Sequence, residues 1–206
     1  MAAAAGAGCD LSLARGMLIA DIGAGRCDVA SISLGRSVIS KSIPNAGDLF
    51  TDEIIKYIRK NHNLNIGYIT ADSLKNEIGC AYPFDLSKTA ELSGCDITTG
   101  MPRKISINSE EIRQILYPQL KKIANTIRTT LEETPPELQS DILEDGILIT
   151  GGGAMLWGME KWLSMELGIK VFVTQNMNEC VIKGLLEQLE KLDTAGMSAD
   201  KYYYSI

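Results

Sequence analysis

The chain has 206 residues, of which 45% are hydrophobic and 22% charged, with a formal net charge of −6 and a pI near 4.9. That length supports one large domain or two small ones, and no apolar run approaches the roughly 18 residues of a membrane span. The acidic balance argues against nucleic acid as a partner, and one histidine with five scattered cysteines assembles neither a zinc set nor a histidine-based triad. The cysteines read as free thiols in a reducing cytosol, and the expected location is cytoplasmic, without direct membrane insertion.

The opening MAAAAGAG has no basic segment and no apolar core of a signal peptide, and reads as a helix end with a glycine stop. Strands are expected at Met17–Ala20, Cys27–Leu34 and Ser37–Ile43, joined by short turns into an antiparallel meander. From Asp48, Leu49, Phe50, Ile54, Ile55 and Ile58 recur at helical spacing, with Lys56, Arg59 and Lys60 toward the C-terminal end. A second helix is expected from Thr70 or Asp72 to Gly79. Residues 82–102 place Pro83, Gly94, Gly100 and Pro102 among short β-like runs, and Arg103–Ile107 reads as a strand.

A long helix opens at Asn108 or Ser109. Ile112, Ile115, Leu116, Leu120, Ile123, Ile127 and Leu131 mark its buried stripe, with a kink expected at Pro118 and a stop at Pro135-Pro136. A short helical turn through Leu138 and Ile142 leads to the strand Ile147–Thr150. Gly151, Gly152 and Gly153 follow, then a helix containing Met155, Leu156, Met159, Trp162, Leu163 and Leu167, closed by Gly168. A strand over Ile169–Val173 and a helix from about Asn178 to Leu192 complete the pattern, and the tyrosine-bearing tail 201–206 is expected to be loose. The sum is an α/β domain with a mixed sheet flanked by helices.

Two stretches share a plan: "ADIGAG" and "ILITGGGA" each run an apolar strand straight into glycines. Such turns let a bound group approach the backbone, and their N–H groups can cradle phosphate. In the second, a helix N-terminus is expected to add its dipole. The plainer alternative for either turn alone is a tight bend needing positive φ. Asp21, closing the first strand, is a candidate to hold Mg2+ through water. Neither turn is a Walker A loop or a Gly-x-Gly-x-x-Gly fingerprint.

The order "DIGAG" (21–25), "AGDLFTD" (46–52), "KNEIGCAYP" (75–83), "TPPELQSDI" (134–142) and "ILITGGGAMLWGMEKWL" (147–163) closely resembles the MreB family of bacterial actin-like rod shape-determining proteins, from residue 1 to about residue 192. The resemblance implies an actin-like (ribonuclease H-like) ATPase-type fold with two domains around a cleft, of which this chain matches the second. Residues 1–61 and 109–192 would form the core, 62–108 an inserted smaller α+β subdomain with an alternative end near residue 135, and 193–206 a tail. The resemblance also implies ATP or ADP and Mg2+ as ligands. Gly23, Ala24 and Gly25 would be the second phosphate loop, Asp72, Ser73, Leu74 and Lys75 a nucleoside-pocket helix, and Gly151, Gly152, Gly153 and Ala154 a third contact. For Asp72 and Lys75 a solvated helix face is the alternative, and Asp48 and Asp52 are expected to cap and solvate their helix.

One departure bears on chemistry: the family's middle glycine is Ala24, and its threonine pair is Arg26 and Cys27. Arg26 either favours a bound phosphate, fills the cleft, or lies exposed at a loop tip. Met1-Ala2-Ala3-Ala4 matches a segment that in the family follows the first phosphate loop and a water-positioning glutamate. The expectation is therefore a structural module with half a cleft, contacting actin-like subunits or shape-determining partners. The alternative is an ATPase or nucleotide switch, active after pairing with a separately encoded first domain.

Overall fold

In a computed structural model of the chain, residues 1–83 and 87–194 are described. The 201–206 tail, and the part of the 82–102 segment over 84–86, lie outside them. A short helix α1 (Ala2–Gly6) precedes three strands, β1 (Met17–Ile22), β2 (Cys27–Ser33) and β3 (Arg36–Ile43). Helix α2 (Gly47–His62), the two-residue strand β4 (Leu64–Asn65), helix α3 (Tyr68–Ile78), and strands β5 (Thr89–Asp96) and β6 (Pro102–Asn108) follow. Helices α4 (Ser109–Glu133) and α5 (Pro136–Asp145) lead to β7 (Ile147–Thr150), a 3-10 turn (Gly152–Met155), α6 (Met159–Leu167), β8 (Val171–Val173) and α7 (Cys180–Thr194).

The main sheet has the order β3-β2-β1-β7-β8. The meander β1-β2-β3 is antiparallel, as its short connections require, while β7 and β8 run parallel to β1. Alternation along β1 sends Leu18, Ala20 and Ile22 to one face, where they join Phe50 and Ile54 of α2 and Ile123 and Ile127 of α4. Ile19 goes to the other face, against Ala3 and Ala4 of α1. A second sheet, β4-β5-β6, spans Leu64–Asn108, and its Leu64, Leu92 and Ile107 belong to the same continuous core as the main sheet.

Three local features differ from the sequence reading. The residues after Gly151 do not enter an α-helix: they make the four-residue 3-10 turn, and α6 starts at Met159 behind Gly158, which adopts φ +76°. The helix dipole expected at the glycine turn is therefore not there. Helix α3 begins at Tyr68, earlier than expected, with Gly67 at its N-cap and no side-chain cap to announce it. Pro118 lies inside one uninterrupted helix, α4; beside it the Gln119 carbonyl accepts from Asn45 Nδ2 at 2.8 Å.

Helix α1 packs on α7 with backbone almost touching backbone. A Cβ built at Gly184 would lie 1.8 Å from the Ala2 carbonyl oxygen, and one at Gly6 1.7 Å from that of Cys180. Glycine at both positions is what permits the approach.

Candidate nucleotide site

The parallel pairing of β1 with β7 sets Asp21 opposite Thr150, so the two strands end level and their glycine turns lie side by side. Ligand sites in open α/β sheets form at this carboxyl end, where successive loops diverge. A cavity of about 570 Å³ opens there, within the range of small-molecule sites. Gly23 and Ala24 from the first turn and Gly152 and Gly153 from the second line it, together with Gly47, Asp48 and Phe50 of α2.

The first turn is held by its own backbone and by α2. Gly23 N–H donates to the Arg26 carbonyl at 3.0 Å, closing the β1–β2 hairpin. The carbonyls of Gly23 and Ala24 accept from the N–H groups of Gly47 (3.1 Å) and Asp48 (2.8 Å). Helix α2, which has no side-chain cap, thus has two of its first-turn donors satisfied by the glycine turn itself. Among the described residues no acceptor faces the N–H groups of Ala24 and Gly25, nor those of Gly152 and Gly153. These four amides, two per turn, are available to an anion.

Helix α3 supplies a polar wall. Tyr68, Asp72, Lys75 and Asn76 of α3 line the cavity at the 3.6-residue repeat, joined by Glu77 and by Gly79 just past the helix end. Ser73 is exposed away from the stripe and Leu74 is buried in the core, so those two expected contacts do not meet the cavity. Lys75 Nζ donates to Asp72 Oδ1 (2.6 Å), Thr51 Oγ1 (2.9 Å) and the Gly47 carbonyl (3.2 Å). The hydrogen bond from Lys75 holds the Asp72 carboxyl below the usual carboxylate range. Neither residue is a free solvated group. Asp48 does not cap α2 through its side chain: it lines the cavity and accepts from the Tyr68 hydroxyl at 2.6 Å.

The remaining wall is apolar. Phe50, Met155, Leu156 and Trp157 line it, and Lys88 Nζ sits 4.4 Å from the Trp157 ring centroid. An aromatic and aliphatic surface beside unpartnered amides suits a ligand with a flat ring at one end and phosphates at the other. Trp157, Asn178 and Tyr68 were not legible as site residues. They reach the cavity by tertiary packing, although a helical wheel drawn through the polar residues of α3 would have found Tyr68.

Other expected positions lie outside the cavity. Gly25 lines a separate shallow depression with Arg26, Ser42 and Pro44. Gly151, at φ +85°, is pressed against β1, where a Cβ would stand 2.4 Å from the Ile22 carbonyl oxygen and 2.5 Å from Asp21 Oδ1; Ala154 is buried. Both hold the second turn in place and do not line the cavity. Asp21 is on the sheet face of Met17 and Ile19, directly opposite Asp28 in the β1–β2 ladder. Burial, and then the Asp28 charge, push its carboxyl above the usual range. Among the described residues no lysine or arginine pairs with it. A half-buried carboxylate facing a second one, its charge offset only in part by the Met1 amino group, fits a hydrated divalent ion.

Arg26 is an exposed residue whose guanidinium donates to Ser42 Oγ at 2.7 Å and lies 3.4 Å from Asp28 Oδ2, pointing along β2 and β3. It does not line the cavity. Cys27 is fully buried, and burial pushes its thiol up to about 12, which leaves it inert as a nucleophile.

A mixed sheet whose strand ends carry two glycine turns beside a helix-walled cavity defines an actin-like domain. The family model for the MreB/Mbl protein matches residues 1–197, and the chain belongs to that family. It is 43% identical over 196 residues to the cell shape-determining protein MreB of Escherichia coli (strain K12), covering 95% of this chain and 56% of that protein. It is 38% identical to the cell shape-determining protein Mbl of Bacillus subtilis (strain 168), over 95% of this chain and 60% of that one. The crystal structure of MreB 5 of Spiroplasma citri bound to AMPPNP superposes with a TM-score of 0.90 at 38% identity, covering 95% of this chain and 60% of that chain. The chain thus spans somewhat more than half the length of these relatives.

Proposed function

We propose that the chain is a cell-shape cytoskeletal module of the MreB actin-like type, which binds an adenine nucleotide in the cavity between its glycine turns and associates with other actin-like subunits in the cytoplasm. The observation that carries the reading is the set of amides on Ala24, Gly152 and Gly153, which line the cavity at the ends of two parallel strands and have no acceptor among the described residues. Relatives of the same family support it: MreB 5 of Spiroplasma citri has been crystallised with AMPPNP and with ADP. Residues 1–61 and 109–192 act as the core. The 62–108 insertion brings the α3 wall to the nucleoside.

Asp21 would hold Mg2+ through water, and the ion would supply positive charge to the phosphates. The chain's own residues do the rest. The turn amides hold phosphate oxygens, the α3 stripe faces the sugar, and Leu156 and Trp157 exclude water from one side of the base. These 206 residues form one wall of a cleft, and pockets that bind tightly bury most of a ligand's surface. Affinity is accordingly weak, and turnover by the chain alone is negligible. The family's first threonine is Arg26 here, and its guanidinium bonds Ser42 and faces Asp28, so this position places no attacking water in line.

Isothermal titration with Mg·ATP tests this reading. The expected dissociation constant is weaker than about 1 μM, with binding lost in Ala24→Glu, which sets a carboxylate at the exposed tip of the phosphate turn. Submicromolar affinity, or ATP hydrolysis by the isolated chain that Asp21→Ala abolishes, would overturn it in favour of a self-sufficient ATPase.

A further inference from the structure

We propose that Lys88 is the specificity-determining residue at the base end of the cavity, where its ammonium group donates to one ring nitrogen of the adenine; this rests on the nucleotide reading above. Two lysines line the cavity. Lys75 is ion-paired with Asp72, whereas among the described residues the Lys88 ammonium has neither a hydrogen-bond acceptor nor an ion-pair partner. It rests on the face of Trp157, 4.4 Å from the ring centroid. An aromatic face holds an ammonium group in place and still leaves N–H donors free for a ligand.

Helix α3 defines where in the cavity Lys88 stands. Its first turn reaches the first glycine turn, since the Tyr68 hydroxyl bonds Asp48, the neighbour of Gly47. Its other end meets the apolar wall. A Cβ on Gly79 would lie 3.0 Å from Leu156 Cδ1, the Ala81 N–H donates to the Trp157 carbonyl at 2.8 Å, and Cys80 forms a β-bridge with Trp157. The 11 residues of α3 set these ends about 16 Å apart, and Lys88 is at the end away from Ala24. Its backbone is fixed there: the Lys88 N–H donates to Ser109 Oγ at 3.0 Å, and its carbonyl accepts from the Ser109 N–H at 2.8 Å. Ser109 is the buried first residue of α4.

An ammonium group only donates, so its complement in a ligand is an acceptor. With phosphates held at the glycine turns, the part of an adenine nucleotide that reaches Leu156 and Trp157 is the base, whose ring acceptors are N1, N3 and N7. A hydrogen bond from a charged donor beside an apolar wall is stronger than the same bond in open water. It gives direction to a surface that otherwise accepts any flat ring.

Deaza analogues test the contact atom by atom. 1-Deaza-, 3-deaza- and 7-deaza-ADP each replace one acceptor nitrogen with C–H and keep the phosphates, the sugar and the ring. Their Mg complexes and Mg·ADP are titrated into wild type and Lys88→Met and followed by amide NMR. Lys88 is exposed, and thermal melting checks that the variant folds. Lys88→Met is expected to weaken Mg·ADP about five- to twentyfold. One analogue is expected to bind wild type weaker than Mg·ADP by that same factor and to lose less than about twofold more in Lys88→Met, the signature of a shared contact in a double-mutant cycle. The other two lose as much as Mg·ADP. Equal loss for all four ligands would make Lys88 a charge acting on the phosphates or a support for Trp157, and unchanged Mg·ADP binding would put the base out of its reach; either result overturns the proposal. If wild type binds none of the four, the nucleotide reading itself fails and this proposal falls with it.

Discussion

Asp21 and Thr150 face each other across the parallel β1–β7 ladder, and the glycine turns begin at Gly23, after Ile22, and at Gly151. One register thus fixes how far apart two segments lie whose paired residues, Asp21 and Thr150, are 129 positions apart in sequence. The second turn is seated by Gly151, whose missing side chain allows it to lie against Asp21 and Ile22.

Substitution of Arg26 tests whether the departure from the family's threonine matters to binding. The guanidinium is exposed and bound to Ser42 and Asp28, away from the cavity. Arg26→Ala should leave Mg·ADP affinity within about twofold of wild type and change stability by less than about 0.5 kcal/mol, as for other surface sites. A tenfold loss of affinity by calorimetry would mean that the arginine reaches the phosphates.

Asp21 predicts a pH dependence of defined sign. Burial and the opposing Asp28 raise its pKa in the folded state, with the Met1 amino group offsetting part of the effect. The folded protein therefore binds this proton more tightly than the unfolded chain, and the ionised carboxylate destabilises the fold above the raised pKa. Asp21→Asn should melt roughly 2 °C higher than wild type at pH 7. The advantage should shrink as pH falls through the raised pKa and vanish below the unfolded value of 3.8. Melting curves for the two proteins that stay parallel from pH 7 to pH 4 would contradict the assignment.

The α1–α7 contact predicts a stability effect remote from the site. A methyl group on Gly184 cannot coexist with the Ala2 carbonyl at its present position, so Gly184→Ala must push the helices apart. Overpacking of this kind costs about 2 kcal/mol, which for a chain of this size lowers the melting temperature by roughly 5 °C. Thermal denaturation followed by circular dichroism would show it, and an unchanged midpoint would mean that α1 is not docked as described.

Much of the fold was legible because its signals are local. The strand Ile147–Thr150 and the meander follow from alternation and short turns, and the stripe of α4 from helical spacing. Elements without local signals were not legible. The two residues of β4 pair with β5 where Gly94 lets the strands approach: a Cβ there would stand 2.6 Å from the Asn65 carbonyl oxygen. The 3-10 turn after Gly151 replaced an expected helix because the three glycines and Gly158 favour tight backbone geometry over a continuous helix, and the Trp157-Gly158 pair was the available cue.

The site divides along the same line. Glycine turns at strand ends are visible in a sequence, and so is the α3 segment. Ser73 and Leu74 were expected beside Asp72 and Lys75 because they are neighbours in sequence, yet Ser73 is exposed off the cavity and Leu74 is buried in the core. Trp157 and Asn178 line the cavity through contacts that no spacing in the chain encodes.

The central claim is that the two turns together form the phosphate half of a nucleotide site, and an amide NMR titration with Mg·ADP tests it most directly. The account predicts that the largest shifts fall together on Ala24, Gly25, Gly152 and Gly153, with smaller ones along the α3 stripe, and that Ala24→Glu abolishes them while its melting temperature stays at the wild-type value. Shifts confined to one turn, or shifts that persist undiminished in Ala24→Glu, would contradict it.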